Sequence, residues 1–359
     1  MLSSSQRRLS VSISNLMYTN AVYFPNAKIY SGATPGDMNY SCINRVYYAY
    51  ASIASDGSVF LSDEWADTQA PCDGVKGGLG SLMHLKQAHP HLRVVLSVGG
   101  GSSSEIFPIV ASDMRRRDNF ARSARGLIDA SGLDGIDIDW EYPLDNHQGA
   151  CLIALLASVR IQLPQDEFLI TAVLPASPGV LQNIDITQAA CYLDFINLKA
   201  YDFCGSWVQR SGHQAQLYSS SSSSKNETSG ALGVSYMISH GCPPKKILLG
   251  IPLFGRSFLG VSGPGDRHKG AGGNDGVFEY CQLPRKGAKE GVDEWIGAAW
   301  SVGGDGGFVS YDTPETVKIK AAFCKQQGLG GLFYWPGPAD SRDKQRSLIA
   351  TGFRTLHGL

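Results

Sequence analysis

The sequence lacks several features that would assign a chain to a familiar class. No apolar run reaches transmembrane length, because the longest apolar stretches are only as long as a strand. Charge of one sign is not in excess either, since 31 Lys and Arg stand against 32 Asp and Glu and leave a net charge of −1. We therefore expect neither nucleic acid nor a membrane as a partner, and a neutral molecule suits this composition better.

Closely spaced cysteine pairs are also missing. The eight cysteines are scattered over 359 residues without a Cys-x-x-Cys pair, which excludes a recognisable zinc site. We expect mostly buried free thiols, with a disulfide or two if the protein is exported.

The first twenty residues have no continuous apolar segment. Arg7 and Arg8 are followed by apolar residues that Ser10, Ser12 and Ser14 interrupt, so a standard secretory signal is not expected here. The stretch is rich in Arg and Ser and has no acid, which faintly resembles an organelle-targeting peptide. A truncated or poorly chosen start would have the same composition.

What the sequence does contain is a set of acids within an apolar strand. Asp137, Asp139 and Glu141 occupy alternate positions, and strand side chains alternate between faces, so the three carboxyls share one face. The positions between them are apolar: Ile136, Ile138 and Trp140. Burying several carboxylates together is expensive, because each loses hydration and repels the others. Folding alone does not explain this cost, which predicts a catalytic site.

Two other interpretations of these acids remain open. A solvent-exposed strand face would accommodate them, but the large apolar face must then be buried against another element. A divalent cation would take such oxygen ligands, although no Asp/Asn/Gly loop of the calcium-binding kind accompanies them.

Strand-like and helical segments alternate along the chain. Eight short segments, several of them rich in Val, Ile, Leu, Tyr or Phe, are predicted as strands: Ala21–Phe24, Val46–Ala51, Arg93–Val98, Gly135–Asp139, Phe168–Leu174, Phe195–Ala200, Ile247–Ile251 and Gly331–Trp335. Helices are expected between them, for example over Leu79–Ala88, Arg115–Ala130, Gly149–Gln162 and Glu315–Gln327. This alternation predicts an α/β fold, a (β/α)8 TIM barrel. Residues 20–255 and 311–359 would form its two parts, after an N-terminal extension over 1–19.

One interval is too long for a barrel connection. About 80 residues separate the seventh strand from the eighth, and part of this interval is rich in Gly and aromatic residues, among them Trp295 and Trp300. A structureless loop of that length is unusual in a compact domain, so residues 256–310 are predicted to form a small α+β lobe inserted between strands seven and eight. Ser219–Ser224 is expected to be a flexible loop.

The acidic run resembles a known signature. Asp-Gly-x-Asp-x-Asp-x-Glu over residues 134–141 is similar to the active-site motif of the family 18 glycoside hydrolases, the chitinases. Four further segments resemble that family and fall at the ends of predicted strands: Ser97–Gly100, Ala200–Phe203, Gly250–Arg256 and Gly328–Trp335. The resemblance covers nearly the whole chain and is strongest to fungal, bacterial-like members.

The resemblance implies a retaining mechanism in which the substrate's own N-acetyl group attacks the anomeric carbon. Glu141 would donate a proton to the glycosidic oxygen and then activate water. Asp139 would hydrogen-bond the acetamido N–H and help to keep Glu141 protonated, while Asp137 would share a proton with Asp139. Tyr201 would hold the acetamido oxygen, and Trp335 would stack on the sugar. Further substrate-binding residues would be Tyr23, Tyr50, Gly100, Asp202, Arg256 and Lys199.

Four positions depart from the family pattern. Gly101 stands where a Trp is common, another frequent Trp is replaced within residues 25–27, and Pro336 occupies a position where an acid is frequent. Strand six carries Lys199 where Met is usual. We expect the Lys199 ammonium either to enter the pocket, where it would oppose protonation of Glu141, or to extend outward into solvent.

These observations predict a monomeric hydrolase that cleaves β-1,4-linked N-acetylglucosamine in chitin or chitooligosaccharides, with no metal or organic cofactor. One alternative is a non-catalytic chitin-binding relative, which the presence of Glu141 disfavours. Another is an enzyme that cleaves the N-acetylglucosamine core of glycoproteins, which the missing aromatic platforms allow. The resemblance implies an extracellular protein, with the cytoplasm as the alternative because no signal peptide is recognisable.

Overall fold

The computed structural model describes residues 18–220 and 228–359. Residues 1–17 of the stretch considered above for targeting signals and residues 221–224 of the Ser219–Ser224 loop lie outside this part. No described helix is both long and apolar enough to cross a membrane.

Eight parallel strands form a closed barrel, and we number them one to eight in chain order. Their bounds are Thr19–Pro25, Arg45–Ile53, Arg93–Gly99, Gly135–Asp139, Leu169–Pro175, Phe195–Lys199, Ile247–Pro252 and Gly331–Trp335. Each strand pairs with its neighbours in sequence, and strand one closes the barrel by pairing with both strand two and strand eight. The predicted (β/α)8 barrel is confirmed, and every predicted strand overlaps an observed one.

Helices surround the barrel. The α-helices span Gly78–Ala88, Ile106–Ser112, Met114–Ser131, Asn146–Gln162, Pro178–Leu181, Ile186–Tyr192, Gly230–Ser239, Pro314–Gln326 and Leu348–His357. Asp113 and Asp145 cap two of the longer helices, because their side chains accept hydrogen bonds from the backbone N–H groups of Arg116 and Gln148.

Shorter elements occupy the connections. Between strands one and two the described helical segments are the 3₁₀ turns Asn26–Ser31 and Pro35–Asp37. The remaining short elements outside the inserted lobe are Val59–Leu61, which extends the sheet antiparallel to strand two, the π-helical Trp65–Gln69, the paired strands Pro71–Cys72 and Val75–Lys76, and the 3₁₀ turns Gly101–Ser103, Pro244–Lys246 and Gly337–Ala339.

Buried apolar side chains form one large cluster between the strands and the helices and a smaller one inside the barrel. The inner cluster includes Tyr23 and Tyr47, whose rings stack with their centroids 4.5 Å apart. A buried phenol needs a hydrogen-bond partner, and the Tyr47 hydroxyl donates to Asn197 Oδ1 at 3.2 Å. Polar groups therefore enter the barrel core beneath the acids of strand four.

An antiparallel sheet of five strands is inserted between barrel strands seven and eight. Its strands are Phe254–Phe258, Val277–Glu279, Lys289–Asp293, Ala298–Val302 and Phe308–Tyr311, and we call this sheet with its connections the lobe. The insertion stands between strands seven and eight as predicted, but the described residues of the lobe contain no α-helix, and the predicted α+β composition is wrong in this respect. Its described helical parts are the 3₁₀ turns Tyr280–Gln282 and Gly304–Gly306. Because it starts directly after strand seven, it stands at the barrel end where all eight parallel strands finish.

All eight cysteines are free thiols, and five of them are buried, which confirms the expectation of mostly buried thiols. The buried ones are Cys42, Cys72, Cys151, Cys242 and Cys324.

Candidate active site

The acids of strand four lie at the mouth of the barrel. Asp137 and Asp139 belong to the strand and are buried, whereas Glu141 follows two residues after its end with 23% of its side chain exposed. The intervening Ile136, Ile138 and Trp140 pack in the core outside the barrel. The predicted alternation of faces is confirmed, and an acidic strand face open to solvent is excluded because two of the three acids are buried.

Asp137 is held by four donors. Its Oδ2 accepts from the hydroxyls of Tyr23 at 2.8 Å and Ser97 at 2.7 Å, and its Oδ1 accepts from the Thr171 hydroxyl at 2.6 Å and Asn197 Nδ2 at 3.3 Å. Burial raises the pKa of Asp137, and the three hydroxyl donors oppose the rise. Across residues 18–220 and 228–359, no three His, Cys, Asp or Glu side chains come together to hold a metal ion.

Asp139 differs from Asp137 because only one of its oxygens is occupied. The Tyr50 hydroxyl donates to Oδ2 at 2.8 Å, while Oδ1 is buried and has no hydrogen-bond partner in the described part of the chain. Burial, the charge of Glu141 and then that of Asp137 raise the pKa of Asp139 to about 8. Asp139 therefore holds a proton near neutral pH and presents a free acceptor, which an N–H group of a ligand could satisfy.

Lys199, the last residue of strand six, points into the site. Its Nζ donates a hydrogen bond to Glu141 Oε1 at 2.9 Å and lies 5.9 and 5.8 Å from the ring centroids of Tyr142 and Tyr201. Only 16% of its side chain is exposed, so the outward-extending alternative is wrong. Burial would lower the pKa of Lys199, but Tyr142, Tyr201, Glu141 and Asp139 outweigh burial and raise it well above its usual value.

An aromatic wall stands beside the acids. Trp335 ends strand eight, and its ring centroid lies 5.6 Å from that of Tyr23 and 5.8 Å from that of Tyr50. Gly100 has φ 78°, and a Cβ there would lie 2.9 Å from the Tyr50 ring. A glycine is therefore required for Tyr50 to reach Asp139.

Tyr201 and Asp202 extend the site from strand six toward the lobe. The buried Tyr201 ring meets Phe254 edge to face at 5.9 Å. Arg256 pairs with Asp202 through an Nη2–Oδ1 distance of 2.7 Å, and its guanidinium lies 4.7 Å from the ring centroid of Trp207.

A cavity of about 590 Å³ opens between the barrel mouth and the lobe. Trp335, Asp202 and Arg256 line it, whereas Glu141 and Asp139 do not. The cavity therefore adjoins the acids through Trp335, whose ring neighbours Tyr23 and Tyr50, the hydroxyl donors to Asp137 and Asp139. The structure brings every residue of the predicted site either to the strand-four acids or to this cavity.

A comparison with models of protein families shows which family the chain belongs to. The model for the glycosyl hydrolases family 18 matches residues 19–340, which is most of the chain. The chain belongs to family 18. The resemblance inferred from the sequence motifs is thereby confirmed.

Several family 18 proteins are similar over almost their full length. Endochitinase 1 of Metarhizium robertsii is 36% identical over 95% of this chain and 86% of its own length. Chitinase 1 of Aphanocladium album is 34% identical over 94% of this chain and 85% of its own. A GH18 chitinase of Cycas revoluta, solved in complex with (GlcNAc)3, superposes with a TM-score of 0.82 at 26% identity and covers 93% of this chain and 98% of its own.

Three neighbours of this family 18 site were not identified from the sequence. Trp207 is 57% exposed beside Arg256 and stands only five residues after Asp202, a spacing that could have indicated it. Tyr142 directly follows Glu141 and faces Lys199. Lys28 lines the cavity from the turn after strand one. Its partner Glu279 belongs to the lobe and is too distant in sequence for the pair to be recognised from the sequence.

Proposed function

We propose that this family 18 protein is a retaining chitinase that hydrolyses β-1,4-linked N-acetylglucosamine in chitin or chitooligosaccharides by substrate-assisted catalysis. The observation that carries the proposal is the pairing of a solvent-reachable Glu141 with a buried Asp139 whose Oδ1 has no partner. The first supplies an acid at the rim, and the second supplies an acceptor for an amide N–H. An N-acetylated sugar offers both the glycosidic oxygen and the amide that these groups require.

Each acid has a distinct proposed role. Glu141 protonates the glycosidic oxygen and later removes a proton from the attacking water. Asp139 Oδ1 accepts the acetamido N–H, which turns the acetamido oxygen toward the anomeric carbon and stabilises the oxazolinium intermediate. Asp137, fixed by its four donors, keeps Asp139 in place and shares its titration. No second subunit is needed, since one chain supplies all three acids.

The other predicted residues shape the subsite around the reacting sugar. Trp335 provides an apolar surface for the sugar face, and Tyr201 holds the acetamido oxygen. Asp202 and Arg256 contact sugar hydroxyls from the cavity side, and their mutual ion pair keeps both side chains oriented. Tyr23, Tyr50 and Gly100 act through the acids, because the two hydroxyls donate to Asp137 and Asp139 and the glycine leaves room for Tyr50.

Lys199 adds a step to this scheme. In the free enzyme its ammonium donates a hydrogen bond to Glu141 Oε1, on the carboxyl group that the proposed reaction uses as its acid. Substrate entry therefore has to separate Lys199 from Glu141 before this carboxyl group can reach the glycosidic oxygen. Asp139 holds a proton near neutral pH because its pKa is raised to about 8, and it can supply this proton to Glu141.

The test of this proposal compares chitosan polymers of high and very low acetylation. If the acetamido group is the nucleophile, the deacetylated polymer should be a very poor substrate, and a thiazoline analogue of the intermediate should inhibit the enzyme competitively. Equal rates on both polymers would point to a carboxylate nucleophile and contradict the proposal.

A further inference from the structure

The cavity between barrel and lobe has two walls that come from distant parts of the chain. One wall is the barrel mouth, with Trp335 and the turn Asn26–Ser31 after strand one. The other is the lobe, with its strand Val277–Glu279 and Gln282. A cavity of about 590 Å³ falls within the range of pockets that hold compact ligands, so it has room for a short run of sugar units.

The two walls are joined by an ion pair. Lys28 of the barrel turn and Glu279 of the lobe strand form a salt bridge and a hydrogen bond through Nζ and Oε1. Both residues line the cavity, so their contact bounds it on the side where barrel turn and lobe meet. The side chains are 25% and 37% exposed, which leaves the pair accessible to water and salt.

Trp335 relates the ion pair to the proposed reaction, because Trp335, Lys28 and Glu279 line the same cavity. In the proposed function, on which this inference rests, Trp335 lies beneath the sugar whose anomeric carbon reacts, and Glu141 protonates the bond to the leaving sugar. Glu141 does not line the cavity, whereas Trp335 does. The cavity therefore receives the sugars on the side away from the leaving group, the glycone side.

We propose that the Lys28–Glu279 ion pair closes the glycone end of the cleft and limits how many sugar units this side accepts. Cleavage is then biased toward one end of the sugar chain. A partly exposed ion pair is weak and is screened by salt, so the barrier opens for a longer glycone at a modest cost. The limit is a bias in product length that depends on ionic strength.

The experiment follows the products of reducing-end-labelled chitohexaose by mass spectrometry. Lys28→Ala should raise the ratio of long to short glycone products by up to about fivefold, which is the ratio that corresponds to the strength of a surface ion pair. Glu279→Gln should do the same while keeping the shape of the side chain. Lys318→Ala, an exposed lysine on the outer helix Pro314–Gln326, is the matched control and should leave the ratio unchanged.

Two further measurements distinguish an electrostatic barrier from a change in local packing: exchange of the two charges, and hydrolysis at high salt. The double variant Lys28→Glu/Glu279→Lys should restore the wild-type product ratio. In 1 M NaCl the wild type should shift toward the Lys28→Ala ratio, because the Debye length falls to about 3 Å, while Lys28→Ala itself should not respond. Active variants whose ratios equal that of the wild type would overturn this inference alone, and a wild type inactive on chitohexaose would overturn the proposed function.

Discussion

At the scale of single residues, Lys199 places a positive charge among the strand-four acids. A Met at this position would leave three acids together, whereas the ammonium at 2.9 Å from Glu141 Oε1 compensates one of them. This reduces the repulsion that Glu141 and Asp139 exert on each other. The same contact has to open before Glu141 can act in the proposed reaction.

Removing this charge should change the pH dependence of activity. Lys199→Met takes away an attraction for the ionised form of Glu141, so we expect the alkaline limb of the kcat/KM profile to move upward by as much as about one pH unit. Lys199→Arg keeps the charge and serves as the control, with a profile close to that of the wild type. Superimposable profiles for wild type and Lys199→Met would show that the contact has no role in catalysis.

The buried Asp139 predicts how stability depends on pH. Its pKa is raised to about 8 by burial, Glu141 and Asp137, so its contribution to stability is complete below its unfolded pKa and is lost as pH rises through the folded value. Between about pH 4 and pH 8 the wild type should lose stability relative to Asp139→Asn, at up to about 1.4 kcal/mol per pH unit. Urea unfolding of both proteins at pH 5 and pH 8 measures this difference. Parallel pH dependences would contradict the raised pKa.

The sequence predicted the acids well because a strand has a period of two residues, and this period alone places three carboxyls on one face. The same rule could have settled the direction of Lys199. Asn197 and Lys199 share one face of strand six, and Asn197 reaches Asp137 inside the barrel. The Lys28–Glu279 contact could not be predicted, because it depends on how the lobe sits against a turn that lies 251 positions away in sequence.

At the scale of elements, the turn after strand three positions the site although it carries no catalytic group. Gly99 and Gly100 have φ values of 122° and 78°, and residues other than glycine rarely adopt these backbone conformations. The backbone can therefore pass close to Asp139 and Tyr50. The two glycines of the motif Ser97–Gly100 thus act by leaving room for Asp139 and Tyr50, whereas its Ser97 hydroxyl donates a hydrogen bond to Asp137.

A methyl group in this turn should be harmful at one glycine and tolerated at the next. Gly100→Ala places a Cβ 2.9 Å from the Tyr50 ring in a positive-φ conformation, so we expect a loss of roughly 1–3 kcal/mol in stability and lower activity. Gly101→Ala is the matched control, since nothing lies within 4 Å of its Cβ position. Thermal unfolding and turnover of both variants provide the test, and equal behaviour would refute the steric account.

The barrel strands were predictable as elements because each is a short apolar run followed by a longer helical or loop segment. Their observed ends differ from the predicted ones by at most two residues, as at Thr19–Pro25 and Arg45–Ile53. The interior of the lobe was less predictable. Its strands contain glycines and charges, as in Lys289–Asp293, and these residues do not show the apolar alternation of a typical strand.

At the scale of the whole molecule, the barrel places parts of eight strands at one rim and the lobe adds a second wall. The proposed acid follows strand four, the aromatic surface comes from strand eight and the lysine from strand six. The net charge of −1 gives no long-range attraction for a charged polymer, which agrees with a neutral sugar chain as substrate. Recognition then depends on aromatic stacking and hydrogen bonds within the cleft.

The most direct test of the whole account is the turnover of Glu141→Gln on chitohexaose, measured together with its binding. The amide keeps the shape of the side chain and can accept the Lys199 hydrogen bond, but it cannot donate the proton that the leaving group needs. The account predicts that turnover falls by at least about 100-fold while the protein stays folded and still binds the oligosaccharide. A variant that hydrolyses chitohexaose at the wild-type rate would contradict the assignment of Glu141 and with it the proposed mechanism.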